Sequence, residues 1–191
     1  MMIPQFKIPC VILCGGKSSR MGEDKSLLPF FDKSSLTQYQ YDRLKPYFTK
    51  IFLSSKTNKF NFEAKLILEE NEIYSPIVAI DSIIKKLYNY DKFFLITVDT
   101  PLVKIKSINQ LILESIDSDI CVAQTEKIHN LCGVFSTNIK PIVAEMLKKD
   151  IHKVGYLLDQ VKSKKIIFKD EEEFLNLNNK EEYLKALKII S

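Results

Sequence analysis

Residues 13–25 read Leu-Cys-Gly-Gly-Lys-Ser-Ser-Arg-Met-Gly-Glu-Asp-Lys. Adjacent glycines such as Gly15 and Gly16 let a backbone come close to a ligand and present consecutive N–H groups, an arrangement suited to anions. Lys17, Arg20 and Lys25 add positive charge around them, and an arginine can grip a phosphate through two parallel hydrogen bonds. The chain has only five glycines, three of them in this window, and two arginines among 28 basic residues, one of which is Arg20. The spacing is neither GxxxxGK[ST] nor GxGxxG, so the usual P-loop and dinucleotide readings lose support while phosphate binding stands. A second loaded segment, Asp99-Thr100-Pro101, ends the apolar run 92–98. Asp99 gives that segment its charge; the plainer reading of it is a turn cap before proline.

The surrounding pattern shows what must hold these segments. The run 7–13 (KIPCVIL) reads as a buried strand ending at the glycines. Residues 36–48 repeat Leu36, Tyr39, Arg43, Leu44 and Phe48 near helical spacing, with Ser34 or Ser35 as cap. Short strands are expected at 51–54 and 65–68, and a helix from Pro76 through Leu87. The run 92–98 reads as a central strand, and Ile105, Ile108, Leu111 and Ile112 mark the next helix. Strands at 119–123 and 131–135, helices near 138–149 and 153–161, a strand at 166–168 and a helix at 180–190 complete the chain. Strands separated by helices predict an α/β fold: a single Rossmann-like domain over 1–191, with a mostly parallel sheet flanked by helices on both faces. In such sheets ligands bind beyond the carboxyl ends of the strands, where both loaded segments fall.

Composition bounds the rest. The 191 residues are 46% hydrophobic and 27% charged, enough apolar content to build a core. No apolar run approaches the roughly 18 residues of a membrane span, and the opening residues do not read as a secretory signal, so no membrane partner is expected. A surplus of four positive charges, with no Lys/Arg block, permits anionic ligands but makes no case for nucleic acid. Cys10, Cys14, Cys121 and Cys132 form no CxxC pair and read as buried, reduced thiols, in keeping with a cytoplasmic protein.

The unbroken pattern L-x-G-G-x-S-x-R-M-G-x-D-K-x-L-L from Leu13 to Leu28 resembles the signature of the molybdenum cofactor guanylyltransferases, within the nucleotidyltransferase superfamily. Asp99-Thr100-Pro101 resembles that family's D-[TM]-P, and Glu69-Glu70 stands at the place of its base-reading acid. Ser54 and Ser55 take the position of an asparagine, and Ser75-Pro76-Ile77-Val78-Ala79 resembles P-G-P-L-x-G without the glycines. His129-Asn130 resembles an H-P strand entry, and Phe174-Leu175-Asn176-Leu177-Asn178 resembles F-x-N-[VI]-N.

The resemblance implies transfer of GMP from GTP to molybdenum-molybdopterin, releasing pyrophosphate. It assigns Arg20 and Lys25 to catalysis, Leu13, Cys14, Gly15, Gly16, Lys25, Ser54, Glu70 and Asp99 to the nucleotide, and Asp99 also to Mg²⁺. His129, Asn176 and Asn178 become candidates for the second substrate, and molybdoenzymes or cofactor-delivery proteins candidate partners. The glycine loop meets phosphate, which all nucleotides carry, so a cytidylyltransferase stays open as an alternative. So does a non-catalytic protein that binds and delivers the cofactor; a sugar-1-phosphate enzyme would need a longer chain.

Overall fold

A computed structural model of the chain describes residues 5–15, 24–69 and 73–190. Its centre is a sheet of seven strands: β1 (Cys10–Leu13), β2 (Ile51–Ser55), β3 (Lys65–Leu68), β4 (Lys92–Thr97), β5 (Ile120–Gln124), β6 (Ile128–Ser136) and β7 (Ser163–Ile167). The strand order is β3-β2-β1-β4-β6-β5-β7. Every pairing is parallel except those of β6, which runs against both β4 and β5. The expected Rossmann-like, mostly parallel sheet is what the chain forms.

Six α-helices cover its two faces: α1 (Leu36–Leu44), α2 (Pro76–Lys86), α3 (Ile105–Glu114), α4 (Lys140–Lys148), α5 (Val154–Gln160) and α6 (Lys180–Ile190). The alternation along β1 divides the core. Cys10 and Ile12 pack with Leu36 and Leu44 of α1, Ile108 and Leu111 of α3 and Ala186 of α6. Val11 and Leu13 pack on the other face with Ile77 and Ile80 of α2, Val143 of α4 and Leu157 of α5. A strand buried on both faces reads as a continuous apolar run, which is why CVIL and KFFLIT were legible.

Three boundaries differ from expectation for identifiable reasons. Strand β1 begins at Cys10, after Pro9, whose ring nitrogen has no hydrogen to donate to a ladder. Helix α1 stops at Leu44: Lys45 keeps helical dihedrals and donates to Tyr41 O, but Pro46 has no N–H to carry the ladder further. Strand β7 runs through Lys164 and Lys165, both exposed, so an edge strand presents charge where the apolar pattern showed only its end. Ser35 caps α1 by accepting from Gln38 N at 3.1 Å, and Ser75 caps α2 by accepting from Ile77 N at 3.2 Å.

Gly133 marks the tightest approach in the sheet. A Cβ at this position of β6 would lie 2.1 Å from the Cys121 carbonyl oxygen and 2.8 Å from Val122 Cα, beside a register shift between Val122 and Ala123. Among the described residues no helix is long and apolar enough to cross a membrane.

Candidate active site

The chain leaves β1 for β2 and β3 on one side and returns through β4 on the other. The ends of β1 and β4 therefore flank the point where strand order reverses, the usual ligand crevice of an open α/β sheet. A cavity of about 290 Å³ lies there, lined by Leu13 and Gly15 after β1, Glu69 after β3, Ser75, Pro76 and Ala79 at the start of α2, and Thr97, Val98 and Asp99 after β4. Tyr74 and Leu131 complete the wall.

Lys25 opens a short 3-10 turn, Lys25–Leu27, capped by Asp24. The Asp24 carboxylate accepts from Ser26 N at 3.0 Å and Ser26 Oγ at 2.6 Å, and pairs with Lys59 through its other oxygen. Burial alone would raise this carboxyl, but Lys59 and Ser26 outweigh it and hold Asp24 below the usual carboxylate range. Lys59 also donates to the Cys14 carbonyl at 3.0 Å, tying the residue that follows β1 to the residue that precedes Lys25.

Lys25 Nζ lies 3.9 Å from Asp99 Oδ2 and donates to Asn178 Oδ1 at 3.4 Å. Asp99 Oδ1 is buried and has no hydrogen-bond partner among the described residues. A buried carboxylate oxygen left without a donor is costly unless something else meets it. A carboxylate oxygen so placed suits a divalent cation. No group of three metal-ligating side chains occurs among the described residues, so most ligands would be phosphate oxygens and water, the habit of Mg²⁺.

On the opposite wall, Ser54 is fully buried at the end of β2 and donates to Glu69 Oε1 at 3.3 Å. Lys56 Nζ stands 3.6 Å from Glu69 Oε2 and 4.8 Å above the Tyr74 ring. A Cβ at Gly15 would come within 3.2 Å of Glu69 Oε1, so glycine leaves the carboxylate room beside the backbone. Glu69 lines the cavity beside the position of Glu70, which the resemblance singled out and which lies outside the described residues. The signal was available: Ile67 is buried toward the α2 face, and side chains two apart on an extended segment share a face.

The sequence candidates thus fall into three groups. Leu13, Gly15 and Asp99 line one cavity; Lys25 and Asn178 meet at Asp99, and Ser54 supports Glu69. Gly16, Arg20 and Glu70 lie outside the described residues. Cys14, His129 and Asn176 are not among the cavity's lining. The Cys14 thiol is buried and pushed up to about 12 by that burial, with the Sγ donating to Ile12 O. His129 is buried at the start of β6, bonded to Thr125 at 2.8 Å and stacked on Phe174 at 4.8 Å. Asn176 accepts from Asn178 N at 2.9 Å through its carbonyl.

Such an arrangement can seat a polyphosphate, balance its charge and leave covalent change to the substrates, which is the task of a nucleotidyltransferase. The family model described as MobA-like NTP transferase domain matches residues 10–163, and the chain belongs to that family. A molybdenum cofactor guanylyltransferase of Campylobacter jejuni (strain RM1221) is 39% identical over 184 residues, covering 94% of this chain and 95% of that protein. One from Helicobacter pylori (strain G27) is 35% identical over 189 residues, covering 96% and 93%. Among solved structures, molybdopterin-guanine dinucleotide biosynthesis protein A from Archaeoglobus fulgidus shares the fold with a TM-score of 0.81 at 17% identity, covering 96% of this chain and 98% of that one. The chain is an enzyme of the nucleotidyltransferase class.

Proposed function

We propose that this enzyme transfers GMP from GTP to the terminal phosphate of molybdenum-molybdopterin, forming the guanine dinucleotide cofactor and pyrophosphate. The observation that carries this reading is the meeting of Lys25, Asn178 and the orphaned Asp99 carboxylate beside Gly15 at the switch point. In such a transfer a phosphate oxygen of the acceptor attacks the α-phosphorus of GTP. The bond to the β-phosphate oxygen breaks, and its electrons leave with pyrophosphate.

The residues' work is positioning and charge balance. The Gly15 amide faces the polyphosphate, and Lys25 neutralises charge near the α-phosphorus while Asn178 steadies its ammonium. Gly16 and Arg20 extend that cradle, and Arg20 meets the charge of the departing pyrophosphate. Asp99 holds Mg²⁺, which when bound supplies Lewis-acid polarisation of the phosphate oxygens. Glu69, oriented by Ser54 and Lys56, reads the base: a carboxylate accepts from both N1–H and the 2-amino group of guanine, whereas cytosine offers only its 4-amino group. Tyr74 gives that base an aromatic wall. His129 and Asn176 remain candidates for the acceptor's side of the site. The product would pass to a molybdoenzyme or a delivery protein in the cytoplasm, where four free, buried thiols are at home.

Thermal stabilisation by GTP, CTP, ATP and UTP in the presence of Mg²⁺ tests the reading directly. A ligand that binds only the folded state stabilises it by about 2.7 kcal/mol at 100 times its Kd. GTP alone is expected to raise the melting temperature, and incubation with molybdenum-molybdopterin to yield the guanine dinucleotide. A response to CTP alone would replace the guanylyl assignment with a cytidylyl one.

A further inference from the structure

Among the described residues Asp99 makes no hydrogen bond that fixes its carboxylate: Oδ1 has no partner and Oδ2 pairs with Lys25, at 3.9 Å. Its position is set by the backbone, so whatever holds the backbone of 97–103 holds the carboxylate. Four carbonyls of this segment are gripped from outside it. Gln40 Nε2 donates to Thr97 O and to Thr100 O, both at 3.2 Å, bracketing Asp99. Arg43 Nη1 donates to Val103 O at 2.7 Å, and Leu177 N donates to Asp99 O at 2.8 Å.

The orientation of the Gln40 amide follows from its neighbour. Arg43 Nε donates to Gln40 Oε1 at 2.5 Å, and a guanidinium has only donors, so the oxygen must face Arg43 and both N–H groups must face the turn. Gln40 is fully buried, and Arg43 Nη2 is buried without a partner. Burial pulls the Arg43 guanidinium down to about 10, so it keeps its charge at neutral pH. A buried cation whose Nη2 amino group has no partner among the described residues is an expensive way to fill the space between a helix and a sheet. Apolar side chains of similar volume would cost less. What the pair supplies that packing cannot is a rigid fork from α1 onto the turn after β4.

We propose that Gln40 and Arg43 are positioning residues for Asp99, setting the place of the carboxylate that meets the nucleotide-bound metal. The inference rests on the metal-dependent nucleotidyl transfer argued above. It concerns two residues of α1 that touch neither substrate nor metal. A tolerance of about half an ångström is typical for such groups, and displacement by 1 Å can cost about a hundredfold in rate.

The informative variant is Gln40→Glu in the full-length chain. It keeps an acceptor for Arg43 Nε while removing both donors to the turn, so it separates holding Arg43 from holding Asp99. Arg43→Lys, which leaves Gln40 in place, is the second variant and a milder one. Two melting shifts are read for each protein: that produced by GTP in a chelator, and the increment added when Mn²⁺ replaces the chelator. Both variants are expected to keep the GTP-only shift and to lose most of the metal increment. Turnover should fall roughly tenfold to a hundredfold with little change in KM for GTP. Variants that melt earlier but retain the full metal increment and kcat would reduce the pair to a structural role and overturn the inference. A wild-type chain with a GTP shift but no metal increment would overturn it as well. A wild-type chain that no nucleotide stabilises would overturn the functional reading itself, and this inference with it.

Discussion

At the scale of single residues, the site sets a lysine beside a carboxylate at the end of β4. Among the described residues the buried Asp99 Oδ1 has no donor, while Lys25 Nζ stands 3.9 Å from Oδ2 and donates to Asn178. Lys25→Ala and Asp99→Ala are each expected to abolish turnover while the folded state persists, since neither side chain packs in the core. Circular dichroism with a product assay checks this; a well-folded variant of either kind with near-normal activity would remove that residue from the mechanism. The loop signature and the D-T-P turn pointed to both positions because their chemistry is local in sequence. Glu69 was less visible, since choosing between two adjacent glutamates requires knowing which face the strand presents. Gln40 and Arg43 carried no local signal at all. In sequence Arg43 reads as one more position on a helix face, and its partners lie about 60 residues away.

At the scale of elements, the sheet is built from strands whose patterns differ with their surroundings. Strands β1 and β4, buried on both faces, were legible as apolar runs, whereas β6 proved four residues longer than its apolar centre, extending through Ile128 and His129 at one end and Ser136 at the other. The hairpin of β5 and β6 depends on Gly133, where any Cβ would overlap the Cys121 carbonyl. Gly133→Ala should therefore cost about 2–3 kcal/mol or more, because backbone rather than a flexible side chain must move. Chemical denaturation measures this; a loss under about 0.5 kcal/mol would mean that the strands part more easily than the close contact implies.

At the scale of the whole molecule, stability should depend on pH through His129. Burial and the nearby charge of Lys127 hold its imidazole below the ordinary value, with Glu171 pulling weakly the other way. The unfolded chain therefore takes up this proton at a higher pH than the folded chain does. Above about pH 7 both states carry a neutral ring; as pH falls through about 6.5 the unfolded state is protonated first and stability drops. Melting temperatures from pH 8 to 5.5 should decline in the wild type and decline less in His129→Gln. Parallel curves would assign the pH dependence to other groups.

The contact between Lys25 and Asn178 joins residues 153 positions apart, and the Asp99 carbonyl is held by Leu177. A ribosome making this chain exposes the glycine loop and the Asp99 turn long before it exposes the segment that secures them. All seven strands have been synthesised by residue 167, yet two of the site's restraints still await translation. The sheet can thus assemble before the site does, and the site is completed only once Leu177 and Asn178 have emerged.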